Sequence, residues 1–269
     1  MKSEALQIVR DTLETDDQRT AGHRLREYLQ HQIMRILFKT KYLQNWVFHG
    51  GTCLRMIYGF HRFSEDLDFH LKKNADKPDW ERVKNNIQRE LDTRQYETRY
   101  KAREKTAVYG LFIKFENLLH TAGLSPHENE TFDVKIELDI NPPGGFTAER
   151  RTIEQYDPFP VIHHDRPTLL AGKIGAIEGR DYTKGRDFYD VITLLRRQPR
   201  LSPNIPYLNN VLSQTSPKTK PFQQSDWRPR LTQTIHETDW DAVTKDIEAF
   251  LTTPEDLPLY EKKIVLSDL

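Results

Sequence analysis

The chain of 269 residues holds one cysteine, Cys53. A disulfide framework needs at least two, and a cysteine-rich zinc site needs several, so both are excluded. A lone thiol fits a reducing cytosol. Long hydrophobic runs are also missing. No stretch approaches the roughly 20 apolar residues of a membrane span. The polar start Met1-Lys2-Ser3-Glu4-Ala5 lacks the apolar core of a signal peptide. The expectation is a cytoplasmic protein without a membrane partner. Excess charge of either sign is absent too, because 40 basic residues balance 40 acidic ones. The protein as a whole is then no electrostatic glue for nucleic acid, and any such binding must come from local basic patches. No internal repeat is visible. What is present is a polar but foldable mix, in which 13 Phe, 11 Tyr and 4 Trp supply large apolar surfaces for a core.

Hydrophobic spacing outlines an α+β chain. Leu25, Leu29, Ile33, Ile36 and Leu37 recur at helical spacing within a helical region over 1–45. Trp46-Val47-Phe48 reads as a short buried strand ending at Gly50-Gly51, and 52–58 as a short helix. Leu67, Phe69 and Leu71 alternate with Asp66, Asp68 and His70, as in a strand with two unlike faces. An amphipathic helix over 79–93, capped by Asp79, comes next. Three β-like runs at 94–102, 106–116 and 131–140 follow. No crossover helix separates them, which predicts antiparallel pairing. Helical patterns over 168–180, 186–197 and 239–251 dominate the rest, with a proline-rich stretch at 201–230 between them. The chain divides near residue 160 into a mixed α+β part and a helical part.

Asp66 and Asp68 are two apart on a strand, so both carboxylates point to one side. Like charges held together cost stability unless a cation sits between them, and Mg²⁺ accepts carboxylate and phosphate oxygens together. A solvent-facing edge strand is the plainer reading. Glu137 and Asp139 repeat the spacing on a second strand, with Asn141 continuing the face. Carboxylates on two strands are what two-metal phosphoryl transfer needs. Gly50-Gly51-Thr52 lies between a strand and a helix, where a backbone can approach a phosphate. It also serves as an ordinary turn. Lys173 stands in the apolar run Leu169-Leu170-Ala171-Gly172-Lys173-Ile174. Its ammonium either snorkels to solvent or meets a triphosphate. Asp187 and Asp190 share a helix face after Gly185. Helix capping, a local salt bridge and catalysis all suit them.

Taken in order, these pieces resemble the AbiEii/AbiGii-type nucleotidyltransferase toxins, which are similar to the MenT toxins of type IV toxin–antitoxin systems. The matching residues are Gly50, Gly51 and Arg55, then Asp66 and Asp68, then Lys173, Arg186, Asp187 and Asp190. The strand from Lys135 to Pro143 is similar to the family's third-carboxylate strand. The resemblance runs over roughly 24–200. It implies a polymerase-β-like nucleotidyltransferase core, a short mixed sheet with helices, over 1–160 and a helical C-terminal lobe over 161–269. It further implies an NTP substrate, Mg²⁺, an RNA acceptor such as a tRNA end, and a separate antitoxin. Asp66, Asp68, Glu137 and Asp139 are then the metal candidates, and Lys173, Asp187 and Asp190 join them as catalytic candidates. Gly50, Gly51, Thr52, Arg55, Ser64 and Lys173 are the nucleotide-binding candidates. The sequence has Thr52 where many nucleotidyltransferases carry serine, which leaves Thr52 or Ser64 to serve the phosphate. Glu137 and Asp139 both remain open as the third carboxylate.

Two other functions stand beside this one. One is nucleotidylation of a protein, with the same chemistry and a different acceptor. The other is a catalytically silent module that binds a nucleotide or sequesters a partner. Arg150, Arg151, Lys184, Arg186, Arg196, Arg197 and Arg200 give RNA its local basic density, with Tyr182 and Tyr189 near for stacking.

Overall fold

The structure is a computed structural model that describes residues 2–104 and 106–269. In chain order its elements are α1 (Lys2–Leu13), α2 (Gln18–Lys39), β1 (Trp46–His49), α3 (Gly50–Tyr58), β2 (Asp66–Leu71), α4 (Trp80–Thr93), β3 (Thr98–Glu104), β4 (Val108–Phe115), α5 (Leu118–Thr121), β5 (Phe132–Asp139), β6 (Ala148–Ile153) and β7 (Phe159–His164). Six helices follow: α6 (Arg166–Gly179), α7 (Gly185–Arg197), α8 (Ile205–Thr215), α9 (Trp227–Glu237), α10 (Trp240–Glu248) and α11 (Lys262–Ser267). Among the described residues no helix is long and apolar enough to cross a membrane. The chain forms two compact units. One comprises 1–57, 64–142 and 150–162; the other comprises 58–63, 143–149 and 163–269.

Seven strands make one sheet in the order β3-β4-β5-β2-β1-β7-β6. β3, β4 and β5 pair antiparallel, as the lack of a helix of crossover length between them predicts. β1 and β2 are also antiparallel, while β2 and β5 are parallel. β6 and β7 were not legible from the apolar pattern. All of β6 but Ile153 is exposed, and Pro160 interrupts β7.

In the first unit the alternation within each strand separates two faces. Trp46, Phe48, Leu67, Phe69, Leu111, Ile113, Val134, Ile136 and Leu138 are buried on one of them. Trp80 of α4 lies against this face, 5.8 Å from the Trp46 ring, and donates to the Gly110 carbonyl at 3.2 Å. The expected cap at Asp79 is present. Asp79 accepts from Arg82 N at 3.1 Å, and Asp239 caps α10.

The 22-residue α2 buries polar side chains along with its apolar stripe. Gln30 donates through Nε2 to the carbonyls of Ser64, at 3.1 Å, and Glu65, at 2.8 Å. One turn earlier, Arg26 donates to the Asp133 carbonyl at 2.7 Å and lies 4.5 Å over the Phe132 ring. Residues four apart share a helix face. The helix therefore pins the beginnings of β2 and β5, the two strands that carry the acidic pairs.

The second unit contains α6 to α11. α6 packs on α7 and α8, and α7 packs on α10. Close approach is built into the sequence at Gly185, where an added Cβ would collide with the backbone of Val243.

Candidate active site

Parallel pairing of β2 with β5 aligns Asp66 with Lys135, Asp68 with Glu137 and His70 with Asp139. On the other side of β2, His49 stands opposite Asp68. Neighbouring strands lie about 4.8 Å apart, and register partners share a face. Asp66, Asp68, Glu137 and Asp139 therefore occupy one half-buried face, opposite the apolar one.

The residues on this face differ in their surroundings. Glu137 accepts from Lys135 Nζ at 2.8 Å. Burial alone would lower the Lys135 pKa, but the Glu137 hydrogen bond and the charges of Asp66, Glu137 and Asp68 more than offset it, and the net shift is upward. Asp139 stands beside His70 in the register and accepts the Asn141 amide at 2.9 Å. Burial raises its pKa despite that bond. The His49 and His70 rings lie 3.9 Å apart between centroids, beside the acidic pairs.

Gly50 opens α3 with φ of +78°. A Cβ there would lie 3.2 Å from the Cβ and Cγ of Asp68 and would clash with its Oδ2. This is the close approach for which glycine is suited. It brings the helix start against the Asp68 carboxylate. Thr52, a phosphate-binding candidate, is buried, and its hydroxyl donates to the Asp66 carbonyl. Ser64 is half-buried just before β2, and its carbonyl accepts from Gln30. Arg55 donates to Glu27 of α2, whose carboxylate also receives Gln155 at 3.2 Å. Burial pushes the Glu27 pKa up, and the bonds and charge of Arg55 reverse that to a net lowering.

Lys173, Asp187 and Asp190 belong to the second unit. Lys173 Nζ lies 2.8 Å from Asp187 Oδ1 and 2.7 Å from Asp190 Oδ2. Arg62 grips Asp190 with two bonds, at 2.7 and 2.5 Å, and Arg180 pairs with Asp187. Lys173 thus ends on two carboxylates, and the snorkelling reading does not describe it. The cap reading fails for Asp187 as well. Lys184 holds the N-cap position of α7 without a side-chain bond, while Asp187, inside the first turn, faces cations. Burial works against charge at Asp187, yet Lys173 and Arg180 hold its pKa below the usual carboxylate range.

The order of these motifs and the fold agree with one family. The model for the nucleotidyl transferase AbiEii toxin of type IV toxin–antitoxin systems matches residues 32–262. The chain belongs to that family. Membership makes nucleotidyl transfer its activity class and implies a cognate antitoxin. A crystal structure from H. pylori, provisionally described as a nucleotidyltransferase, matches with a TM-score of 0.52 and 17% identity, over 88% of this chain and 92% of that one. JHP933 from Helicobacter pylori matches with a TM-score of 0.52 and 17% identity, over 90% and 91%. Identity this low shows the fold alone. No curated protein matches the sequence at a significant level. The mixed sheet with helices and a helical C-terminal part, expected of an AbiEii protein, is the architecture observed.

Sequence reasoning missed Arg26, Gln30, Lys135, His49 and His70 as neighbours of the acidic pairs. Lys135 was within reach of it. The period of two that groups Glu137 with Asp139 also places Lys135 on their face. The bonds of Gln30 and Arg26 left no such signal, since they join residues 34 or more positions apart.

Proposed function

We propose that this AbiEii protein transfers a nucleotide from an NTP to an RNA acceptor such as a tRNA end, with Mg²⁺ held by Asp66 and Asp68, as the cytoplasmic toxin of a toxin–antitoxin pair. The observation that carries the reading is the β2–β5 register, with Asp66 and Asp68 on one face and Glu137 beside Asp68. Among the described residues no three His, Cys, Asp or Glu side chains gather as a ready cage for a metal. The donor set nevertheless fits Mg²⁺, which keeps several waters and commonly takes one or two carboxylates plus substrate phosphates. When bound, Mg²⁺ would offset the triphosphate's negative charge. The chain's own part is to hold Asp66 and Asp68 on one side of a pinned strand and to bring the backbone of Gly50 against Asp68. Lys173 is the proposed point charge for the triphosphate. Asp187 and Asp190 would orient its ammonium.

A protein acceptor is the second reading, and one observation favours it. Arg186 pairs with Asp246, and Arg196 pairs with Asp268, so two basic side chains considered for RNA already have carboxylate partners. Arg150 and Arg151 on β6 are exposed to solvent.

Incubation with each radiolabelled NTP, Mg²⁺ and either total RNA or total protein tests both readings. The expected result is labelled RNA, no labelling by Asp68→Asn, and transfer that weakens steeply with salt as phosphate contacts are screened. Labelled protein with little salt dependence would select the second acceptor. Full labelling by Asp68→Asn would refute the assignment of the centre. No label in either pool would favour a silent binding module.

A further inference from the structure

One ammonium stands within the acidic face. Lys135 is the register partner of Asp66, and its Nζ lies 2.8 Å from Glu137 Oε1 and 5.5 Å from the centroid of the Phe112 ring. Its side chain is 26% exposed, and that of Glu137 is 36% exposed. The pair is therefore shielded from water without being sealed from it. Both Asp66 and Asp68 contribute to the field that keeps Lys135 charged. A cation bonded to one carboxylate and facing two more occupies the electrostatic role that a divalent ion would take over.

We propose that Lys135 is a positioning residue and the internal counter-ion of the acidic face. It holds Glu137 in the metal-free protein and releases it when a divalent ion binds, so that Glu137, not Asp139, is the third carboxylate. This rests on Asp66 and Asp68 forming the metal centre proposed above. Two features separate the third-carboxylate candidates. Glu137 is the direct neighbour of Asp68, whereas Asp139 is the neighbour of His70 and already accepts the Asn141 amide. Lys135 acts on metal affinity in two ways: its charge repels the incoming ion, and its bond to Glu137 must break for Glu137 to turn.

The test is direct binding of Mn²⁺, used as a paramagnetic probe without NTP, to the full chain and its variants. Lys135→Met keeps the aliphatic stem and removes the charge, and it should bind Mn²⁺ at least tenfold more tightly than the wild type. Lys135→Arg, which keeps the charge, should stay near the wild-type affinity. Glu137→Gln should change wild-type affinity little and abolish most of the gain in the Lys135→Met background. Asp139→Gln should leave that gain intact. A purely structural lysine would lower the thermal midpoint of Lys135→Met without changing its Mn²⁺ affinity, and that result would overturn the proposal. So would a gain that survives Glu137→Gln in full. Asp68→Asn separates the two levels of the argument. If the wild type binds Mn²⁺ and Asp68→Asn does not, while Lys135→Met equals the wild type, only the role of Lys135 fails. If Asp68→Asn binds as the wild type does, the metal centre itself is misassigned and the proposal falls with it.

Discussion

Gly50→Ala makes the link between backbone and chemistry measurable. Two costs add at this position. A φ of +78° is open to glycine, while an L residue there pays about 1–2 kcal/mol. The new Cβ would also clash with Asp68 Oδ2, and at 3.2 Å it would crowd the Cβ and Cγ atoms. Relief requires the carboxylate to swing away or α3 to shift. The combined loss should be about 2–3 kcal/mol in urea unfolding, short of the roughly 5–15 kcal/mol that holds a typical domain together. The protein should therefore still fold. Catalysis should suffer more, because displacing a reacting group by about 1 Å can cost roughly 100-fold. The assays are a urea titration and the rate of NTP transfer, with Gly59→Ala as a control. Gly59 has φ of +62° with nothing within 4 Å of an added Cβ, so it isolates the backbone cost. A Gly50→Ala protein with wild-type stability and wild-type transfer would refute the close approach to Asp68.

Three more predictions concern the supports around the acidic residues. Gln30→Ala leaves the Ser64 and Glu65 carbonyls without their α2 donor, which should cost about 1–3 kcal/mol in urea unfolding and slow transfer by misplacing β2. Lys173→Met removes the ammonium between Asp187 and Asp190; losing one partner of a buried pair costs about 3–5 kcal/mol, and the remaining Arg62 and Arg180 bonds set the expectation at about 3. Equal unfolding midpoints for this variant and the wild type would contradict the pairing. The third prediction is a pH dependence from His31, which is fully buried, with ring centroids of Tyr156 and Phe159 near 5 Å. Burial lowers its pKa to about 4, below the usual 6.5 of histidine. A depressed folded-state pKa gives stability that is present above the unfolded pKa and lost as pH falls toward the folded one, here between 6.5 and 4. The loss should reach about 3 kcal/mol by pH 4. His31→Phe should remove that part of the slope, and an unchanged slope would show that His31 does not titrate this way.

The acidic pairs were legible because strand alternation is a local pattern. Leu67 and Phe69 against Asp66 and Asp68, or Ile136 and Leu138 against Glu137 and Asp139, identify strand and face within a few residues. The cap at Asp79 was legible for the same reason. The β2–β5 register was not, since those strands lie more than 60 positions apart and their parallel pairing leaves no turn signal between them. Without the register, Glu137 and Asp139 were equivalent. β6 escaped because Glu149-Arg150-Arg151-Thr152 has no apolar alternation to find, and its basic residues read as a patch instead. The bond from Arg62 to Asp190 spans 128 positions, so a helix-face reading of Asp190 could not supply its partner.

The two acidic groups differ in burial and in how tightly cations hold them. Asp187 and Asp190 are buried among Lys173, Arg62 and Arg180, whose positive charges offset theirs. A divalent ion brought to them would have to displace cations in good hydrogen-bond geometry. Asp66, Asp68 and Glu137 lie on a half-buried face with Lys135 as the ammonium bonded there to Glu137, so added positive charge relieves repulsion among them. Metal binding therefore suits the first-unit carboxylates, while those of the second unit suit the fixing of an ammonium. Substitutions at the two groups should differ in kind. Asp68→Asn removes repulsion and should leave stability unchanged or raised while abolishing transfer. Asp190→Asn leaves Arg62 and Lys173 facing a neutral amide and should destabilise the second unit. A loss of transfer at Asp190 then identifies catalysis only where the unfolding curve is unchanged, whereas at Asp68 the loss of transfer alone is diagnostic.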